Sequence, residues 1–174
     1  MKKALLISLS LLTTSAYGVE TKLFSLSKEV AQVLKDDEFN DALSGKGREE
    51  FVSFLEKNKK GTQASLESIT FTIDEKSKFI LLSSFFELFE QNLMWSLAHK
   101  FNLQQDLSNV LQLRLIASMD AKNETNKVRV EQEELAFAQN LEKRTAAISD
   151  QEKEKIVKDT MTELCDLLIK KIAQ

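Results

Sequence analysis

The sequence predicts an all-α protein, a single-domain bundle of five to seven helices. Three observations support this prediction. The 174-residue chain contains no proline, so nothing in it forbids helix. Beyond residue 18 it has only three glycines, all between residues 45 and 61. Apolar residues recur at three- and four-residue spacing along most of the chain, which is the pattern of amphipathic helices.

The first helical segments lie between residues 27 and 60. A helix that begins near Ser27 either continues through Asp36 or breaks there, and the glycines at 45 and 47 end it. A second helix is predicted over residues 48–60. Its apolar residues follow the i, i+3, i+4 pattern: Phe51, Phe54 and Leu55.

Residues 68–73 alternate polar and apolar side chains and are rich in β-branched residues, which is typical of a strand. The only other alternating stretch is 127–130, and one strand alone is not stable. We therefore predict an extended connector pinned to the core rather than a sheet.

A central, phenylalanine-rich helix is predicted over residues 74–101, opened by a capping box of Thr72 and Glu75. Two apolar stripes run along it at helical spacing. The first stripe contains Phe79, Leu82, Phe86, Phe89, Leu93, Leu97 and Phe101. The second contains Leu81, Phe85, Leu88, Asn92, Trp95 and His99. Two stripes predict a helix that is contacted on more than one side.

The C-terminal half predicts three further helices. Asn102, with Gln105, is a candidate cap for the first of them. The last two form an antiparallel pair over residues 124–147 and 150–173, because two helices of similar length are joined by a tight turn. Ser149 and Glu152 form a capping box at the start of the second.

The N-terminus has the pattern of a cleaved secretory signal peptide over residues 1–18. Lys2 and Lys3 precede an uncharged apolar run at 4–12, and small residues follow. Cleavage is predicted after Gly18, with Ala16 as the runner-up. A run of nine residues is far shorter than the roughly 20 that span a bilayer, so an anchor helix is disfavoured. We expect a helical-bundle domain over 19–174, located in a bacterial periplasm or secreted, without a transmembrane span.

Charge argues against nucleic acid as a partner. Removal of Lys2 and Lys3 would leave 22 basic against 27 acidic side chains, a net charge of −5. Phosphate recognition needs a concentrated basic face. No nucleotide-binding loop is present, since the glycines at 45 and 47 lack the third glycine and the preceding strand. No cofactor is expected.

His99 is the only histidine. We interpret it as a residue at the edge of the core rather than a catalytic one. Metal binding is disfavoured because positions three and four residues away offer no ligand pair. Glu87 and Glu90 share a helical face and could act as an acid–base pair. We interpret them instead as a solvated edge between two buried stripes.

Cys165 is the only cysteine, so an exported form has no internal disulfide. Burial as a small apolar residue is the favoured interpretation. The alternative is an intermolecular disulfide that would produce a homodimer.

The aromatic residues of the central helix are the most suggestive functional feature: Phe85, Phe86, Phe89 and Trp95, with His99 beside them. We predict a non-enzymatic interaction protein that binds a protein partner, with a chaperone-like and an effector-like role as the two narrower hypotheses. The alternative is a carrier of a lipid or other apolar small molecule in a cavity lined by these rings. A third hypothesis is a hydrolytic enzyme that uses Glu87, Glu90 or His99.

Overall fold

The computed structural model describes residues 22–59, 70–120 and 123–174. These residues form seven helices, account for a helical content of 85%, and include no β-strand. The helices are α1 (Lys22–Val33), α2 (Asp37–Ala42), α3 (Lys46–Lys59), α4 (Glu75–Lys100), α5 (Gln104–Met119), α6 (Glu124–Ala146) and α7 (Asp150–Ile172). The all-α prediction is confirmed. The predicted signal peptide lies outside the described residues.

The described residues divide into two compact units. The Phe-rich unit comprises Leu26–Leu93 and Glu154–Gln174, and the hairpin unit comprises Met94–Lys153 with residues 22–25. The boundaries fall inside α4 and α7, so each of these helices contributes to both units. The assignment of one domain to residues 19–174 stays a prediction.

Within the Phe-rich unit the predicted first helix is interrupted before Asp36. The Asp36 carboxylate caps α2 by accepting a hydrogen bond from the Phe39 amide at 3.1 Å. Gly45 follows α2 with φ of +52°, a left-handed conformation that favours glycine. A β-carbon at Gly47 would lie 2.0 Å from the carbonyl oxygen of Ala42. The two glycines therefore permit the close approach of α3 to the end of α2.

Helix α3 runs antiparallel to α7 within the Phe-rich unit. At one end the Arg48 guanidinium donates to the carbonyl oxygen of Ile172. At the other end Lys59 pairs with Asp166, and its carbonyl oxygen accepts from the Thr162 hydroxyl at 3.4 Å. These contacts at both ends set the register between the two helices.

Residues 70–74 form neither helix nor strand, in agreement with the prediction of a connector rather than a sheet for that part of the segment. The predicted Thr72–Glu75 capping box is wrong. Asp74 caps α4 instead, accepting from the Ser77 amide at 3.0 Å. Hydrogen bonds with the side chain and then the amide of Ser77 lower the pKa of Asp74. Thr72 is held by Glu50, which accepts its hydroxyl and its amide, the latter at 2.7 Å. The carboxylate of Asp74, which lies two residues nearer to α4 than Thr72, therefore occupies the cap position.

Within the hairpin unit, the end of α4 is marked by Asn102, whose φ of +57° is left-handed. The Leu103 amide donates to the Ala98 carbonyl at 2.7 Å, and the Asn102 amide donates to the His99 carbonyl at 3.3 Å. This pair of bonds is a Schellman motif, which closes a helix. The prediction that Asn102 caps the next helix is wrong, because the residue is used to end α4 and α5 begins at Gln104 without a side-chain cap.

The core of the hairpin unit joins α4, α5 and α6. Its buried residues are Ala98, Leu103, Leu107, Val110 and Phe137. Arg114 on α5 pairs with Glu134 on α6 beside this core. Asn123 caps α6 by accepting from the Thr125 and Asn126 amides.

Helices α6 and α7 match the predicted bounds of the C-terminal helix pair to within one residue at each end. Half of the predicted capping box is present between them. The Ser149 hydroxyl accepts from the Glu152 amide at 3.2 Å. The Glu152 carboxylate binds Lys100 rather than the Ser149 amide. Across the described ranges, no helix combines the length and apolar character that crossing a bilayer requires.

Acidification tests the contribution of Glu50. Hydrogen bonding to Thr72 lowers the pKa of Glu50 below its ordinary value of 4.5. A carboxyl with a lowered folded-state pKa stabilises the fold above its unfolded pKa, and this contribution is lost as the pH falls through the folded-state value. Urea denaturation at pH 7 should therefore show Glu50→Gln to be less stable than the wild type, with a smaller gap at pH 3.

The control is Glu49→Gln, an exposed neighbour whose change leaves the Thr72 contacts in place. It should not reproduce the pH-dependent gap. A Glu50→Gln gap that is the same at both pH values would contradict this account.

Candidate functional site

One of the two stripes of α4 is fully buried in the Phe-rich unit. We call its residues in this unit the inner stripe: Leu81, Phe85, Leu88 and Asn92. Each of these side chains is at most 2% exposed. The inner stripe is therefore the face by which α4 joins the core.

Phenylalanine rings form the centre of that core. Phe85 meets Phe54 edge to face with ring centroids 4.9 Å apart, and it meets Phe51 at 6.4 Å. Phe51 also contacts Phe39 of α2, and Phe54 contacts Phe71 of the connector. Such pairs each add about 0.5–1.5 kcal/mol beyond the burial of area. Four segments of the chain are thus joined through one aromatic cluster.

Asn92 gives the inner stripe a polar end. Its side-chain amide donates to the carbonyl oxygen of Thr160 on α7 at 3.4 Å, and both residues are buried. A buried amide needs such a partner to offset its lost hydration. This contact accounts for a polar residue in an otherwise apolar stripe.

The other stripe of α4 is less buried and is partly exposed to solvent. We call its residues in the Phe-rich unit the outer stripe: Phe79, Leu82, Phe86, Phe89 and Leu93. Phe79 is 71% exposed and Phe86 is 36% exposed, while the other three are half-buried. Their spacing of 3, 4, 3 and 4 residues is that of the a and d positions of a coiled coil. At 1.5 Å per residue the outer stripe is about 21 Å long.

Phe86 connects the two stripes. Its ring packs edge to face on buried Phe85, with centroids 5.4 Å apart, while its other side is exposed. The rotamer of Phe86 is thereby supported from below. An apolar side chain that is held in place from the core loses less entropy when a partner covers it.

Exposed apolar residues also occur in the hairpin unit: Ile116 and Met119 on α5, and Val128 and Leu135 on α6. Scattered exposed apolar residues are normal on a protein surface. A continuous row is different, because it marks an interaction site more often than a solvent-facing surface. The outer stripe has five members on one face of one helix and is the strongest candidate.

Three polar residues border the outer stripe on its edge away from the core: Lys76, Ser83 and Glu90. They are seven residues apart, so they lie in one row along α4. Lys76 and Glu90 are exposed and have opposite charges. The outer stripe itself is uncharged. It therefore has the anatomy of an interface, an apolar centre with a polar rim.

The residues predicted as an apolar surface do not all lie on one surface. Phe86 and Phe89 belong to the outer stripe, whereas Phe85 lies in the core. Trp95 is half-buried against the core of the hairpin unit, and His99 is exposed in the last turn of α4. Sequence reasoning did not include Phe79, Leu82 and Leu93 in the surface. Their heptad spacing was the available signal.

The residues of the enzyme hypothesis are exposed. Glu87 and Glu90 are solvent-facing members of the Phe-rich unit, and His99 is a solvent-facing member of the hairpin unit. Acid–base catalysis depends on a positioned pair with tuned environments. Because all three side chains are exposed, their placement does not favour the enzyme hypothesis. In the part of the chain that the structure describes, His, Cys, Asp and Glu do not form a group that could hold a metal ion.

The described residues include two surface depressions, one in each unit, that are candidate ligand sites. A small one of about 170 Å³ in the Phe-rich unit is lined by Glu49, Glu50, Ser53, Phe54, Lys57, Thr70 and Phe71. A shallow groove of about 420 Å³ in the hairpin unit is lined by Ala138, Leu141, Glu142, Thr145, Ala146 and Lys153. Neither is lined by the rings proposed for a carrier cavity. Phe85 instead fills space within the core.

Cys165 is completely buried on α7. Burial, with help from the negative charges of Asp166 and Glu56, raises the pKa of its thiol to about 12. The thiolate is the form that attacks a disulfide. A bond to a second chain would therefore require α7 to leave the core first.

The comparisons with known proteins identified no relative: no protein-family model, no curated protein and no solved structure matches this chain.

The burial difference between the stripes predicts opposite mutational effects on one helix. Phe85→Ala should lower the free energy of unfolding by about 3–5 kcal/mol, because it opens a cavity in the aromatic cluster. Phe79→Ala should change it by less than about 0.5 kcal/mol, as expected for an exposed position. Urea denaturation followed by circular dichroism measures both. Equal losses would show that Phe79 is buried in the folded protein.

The thiol of Cys165 should be unreactive in the native protein. At pH 8 a thiol reagent should label it only after guanidinium denaturation, because burial suppresses the thiolate. Ser53→Cys, which adds a thiol at an exposed position of α3, should be labelled at once. Rapid labelling of the wild type, or a disulfide-linked dimer on a non-reducing gel, would contradict the burial of Cys165.

Proposed function

We propose that this chain is an exported, non-enzymatic interaction protein that binds a partner protein through the outer stripe of α4. One observation carries the proposal. Of two parallel apolar stripes on α4, the inner one forms the core, whereas the outer one is only partly buried and is exposed at Phe79 and Phe86. Phe79 and Phe86, the most exposed members, lie seven residues apart on the same line of the helix.

The shape and spacing of the outer stripe favour a protein as the ligand. A straight row about 21 Å long presents little concavity, whereas small-molecule sites enclose most of their ligand. The 3, 4, 3, 4 spacing fits the apolar stripe of a second helix, whose side chains would fill the gaps between these residues. The polar row of Lys76, Ser83 and Glu90 would then form one rim of the interface.

The N-terminal sequence supports export. Its paired lysines, short apolar run and small residues have the order that secretion machinery recognises. We place the protein in a bacterial periplasm or outside the cell, where its partner belongs to the envelope or to the surroundings. The acidic net charge supports a protein partner over nucleic acid.

Site-specific photo-cross-linking tests the proposal. A photoreactive phenylalanine analogue replaces Phe79 in the full chain, expressed in its native host and irradiated in intact cells. We expect a discrete adduct with a protein chain, identified by mass spectrometry. The position is 71% exposed, so the analogue should not disturb folding.

The matched control places the same analogue at Val157, an exposed apolar position on α7 in the same unit. This position lies outside the outer stripe and should give no discrete adduct. The proposal fails if position 79 gives no adduct, or if both positions give the same products.

A further inference from the structure

We infer that the outer stripe pairs with the outer stripe of a second copy of this chain, in antiparallel orientation. The inference rests on the proposed function, because it takes the same surface as the binding site and identifies the partner. The register of the outer stripe and the charges along its edge support this pairing.

The register of the outer stripe is self-complementary. In an antiparallel helix pair, a positions face d positions of the other helix. With the two-fold axis beside residue 84, Phe79 faces Phe89 of the second copy and Leu82 faces its Phe86. Because such an interface is isologous, the same two contacts occur again on the other side of the axis. Four apolar layers result, each with at least one aromatic ring.

The charges at the edge select this orientation. Lys76, Ser83 and Glu90 occupy equivalent positions in successive heptads and form the rim, which is exposed at Lys76 and Glu90 and half-buried at Ser83. Antiparallel pairing in the stated register sets Lys76 opposite Glu90 of the second copy, twice, and sets Ser83 opposite itself. A parallel pair would set Ser83 near Lys78 and would leave Lys76 and Glu90 apart.

The charge pattern also explains why self-association is compatible with an acidic chain. The formal net charge is −3, so two copies repel each other at long range. An isologous contact sets like residues near one another at the axis, and a charged residue there would be repelled by its own copy. The outer stripe is uncharged, and the rim residue nearest to the axis is the neutral Ser83.

Charge reversal tests the inference. Sedimentation equilibrium of the purified wild type should show a monomer–dimer equilibrium. Lys76→Glu and Glu90→Lys should each weaken association by about tenfold, because two like-charged pairs replace two attractive ones. The double variant Lys76→Glu/Glu90→Lys restores opposite charges and should recover wild-type association. Circular dichroism checks that each variant is folded.

Three further variants test the surface and the orientation. Phe79→Ser should abolish the dimer, while Val157→Ser, an exposed change on α7, should leave it unchanged. Ser83→Cys should form a disulfide-linked dimer on mild oxidation, since the two cysteines would meet near the axis. A parallel pair would not allow that bond.

The outcomes separate this inference from the proposed function. A wild type that is monomeric at all concentrations overturns the inference, as does a double variant that fails to recover. If the photo-cross-link at position 79 then captures a different protein, the proposed function stands without self-pairing. An adduct between two copies of this chain supports both. No adduct at position 79 overturns the proposed function.

Discussion

The contact of Phe85 with Phe51 and Phe54 is the constraint on which the Phe-rich unit depends. These three rings bring α3 and α4 together, and their neighbours Phe39 and Phe71 add α2 and the connector. Flat rings of this size pack well only in particular edge-to-face and offset arrangements. The cluster therefore fixes not only which helices meet but also how α4 is rotated about its own axis.

The rotation of α4 determines the candidate site. The two stripes of this helix are separated by about 100° around the axis, so a single flat core can bury only one of them. With Phe85 in the aromatic cluster, the inner stripe is buried, and the outer stripe is only partly covered, with Phe79 and Phe86 exposed. Phe86 lies at the junction, packed on Phe85 from one side and exposed on the other. The surface that we propose as a binding site is thus a direct consequence of core packing.

The same core limits the ways in which the chain can associate. Burial of Cys165 keeps its thiol protonated and enclosed, so covalent linkage between native copies is disfavoured. The self-pairing that we infer is therefore non-covalent, and the outer stripe provides an uncharged apolar row for it. Lys76 and Glu90, at opposite ends of the rim, add little binding energy as exposed charges. Their value is in orientation, because complementary charges discriminate between alignments of similar apolar area.

The sequence by itself determined the helical class, since a proline-free chain with three- and four-residue apolar spacing has few alternatives. It also located the bounds of α4, α6 and α7 to within a residue or two, because periodicity and turn residues are local signals. Caps were less predictable. Thr72 and Asn102 have suitable side chains, but Thr72 is hydrogen-bonded to Glu50, and Asn102 belongs to the Schellman turn that ends α4. Only tertiary structure decided which stripe of α4 is buried. Both stripes carry large apolar residues, and the choice depends on rings of α2 and α3 that are distant in sequence.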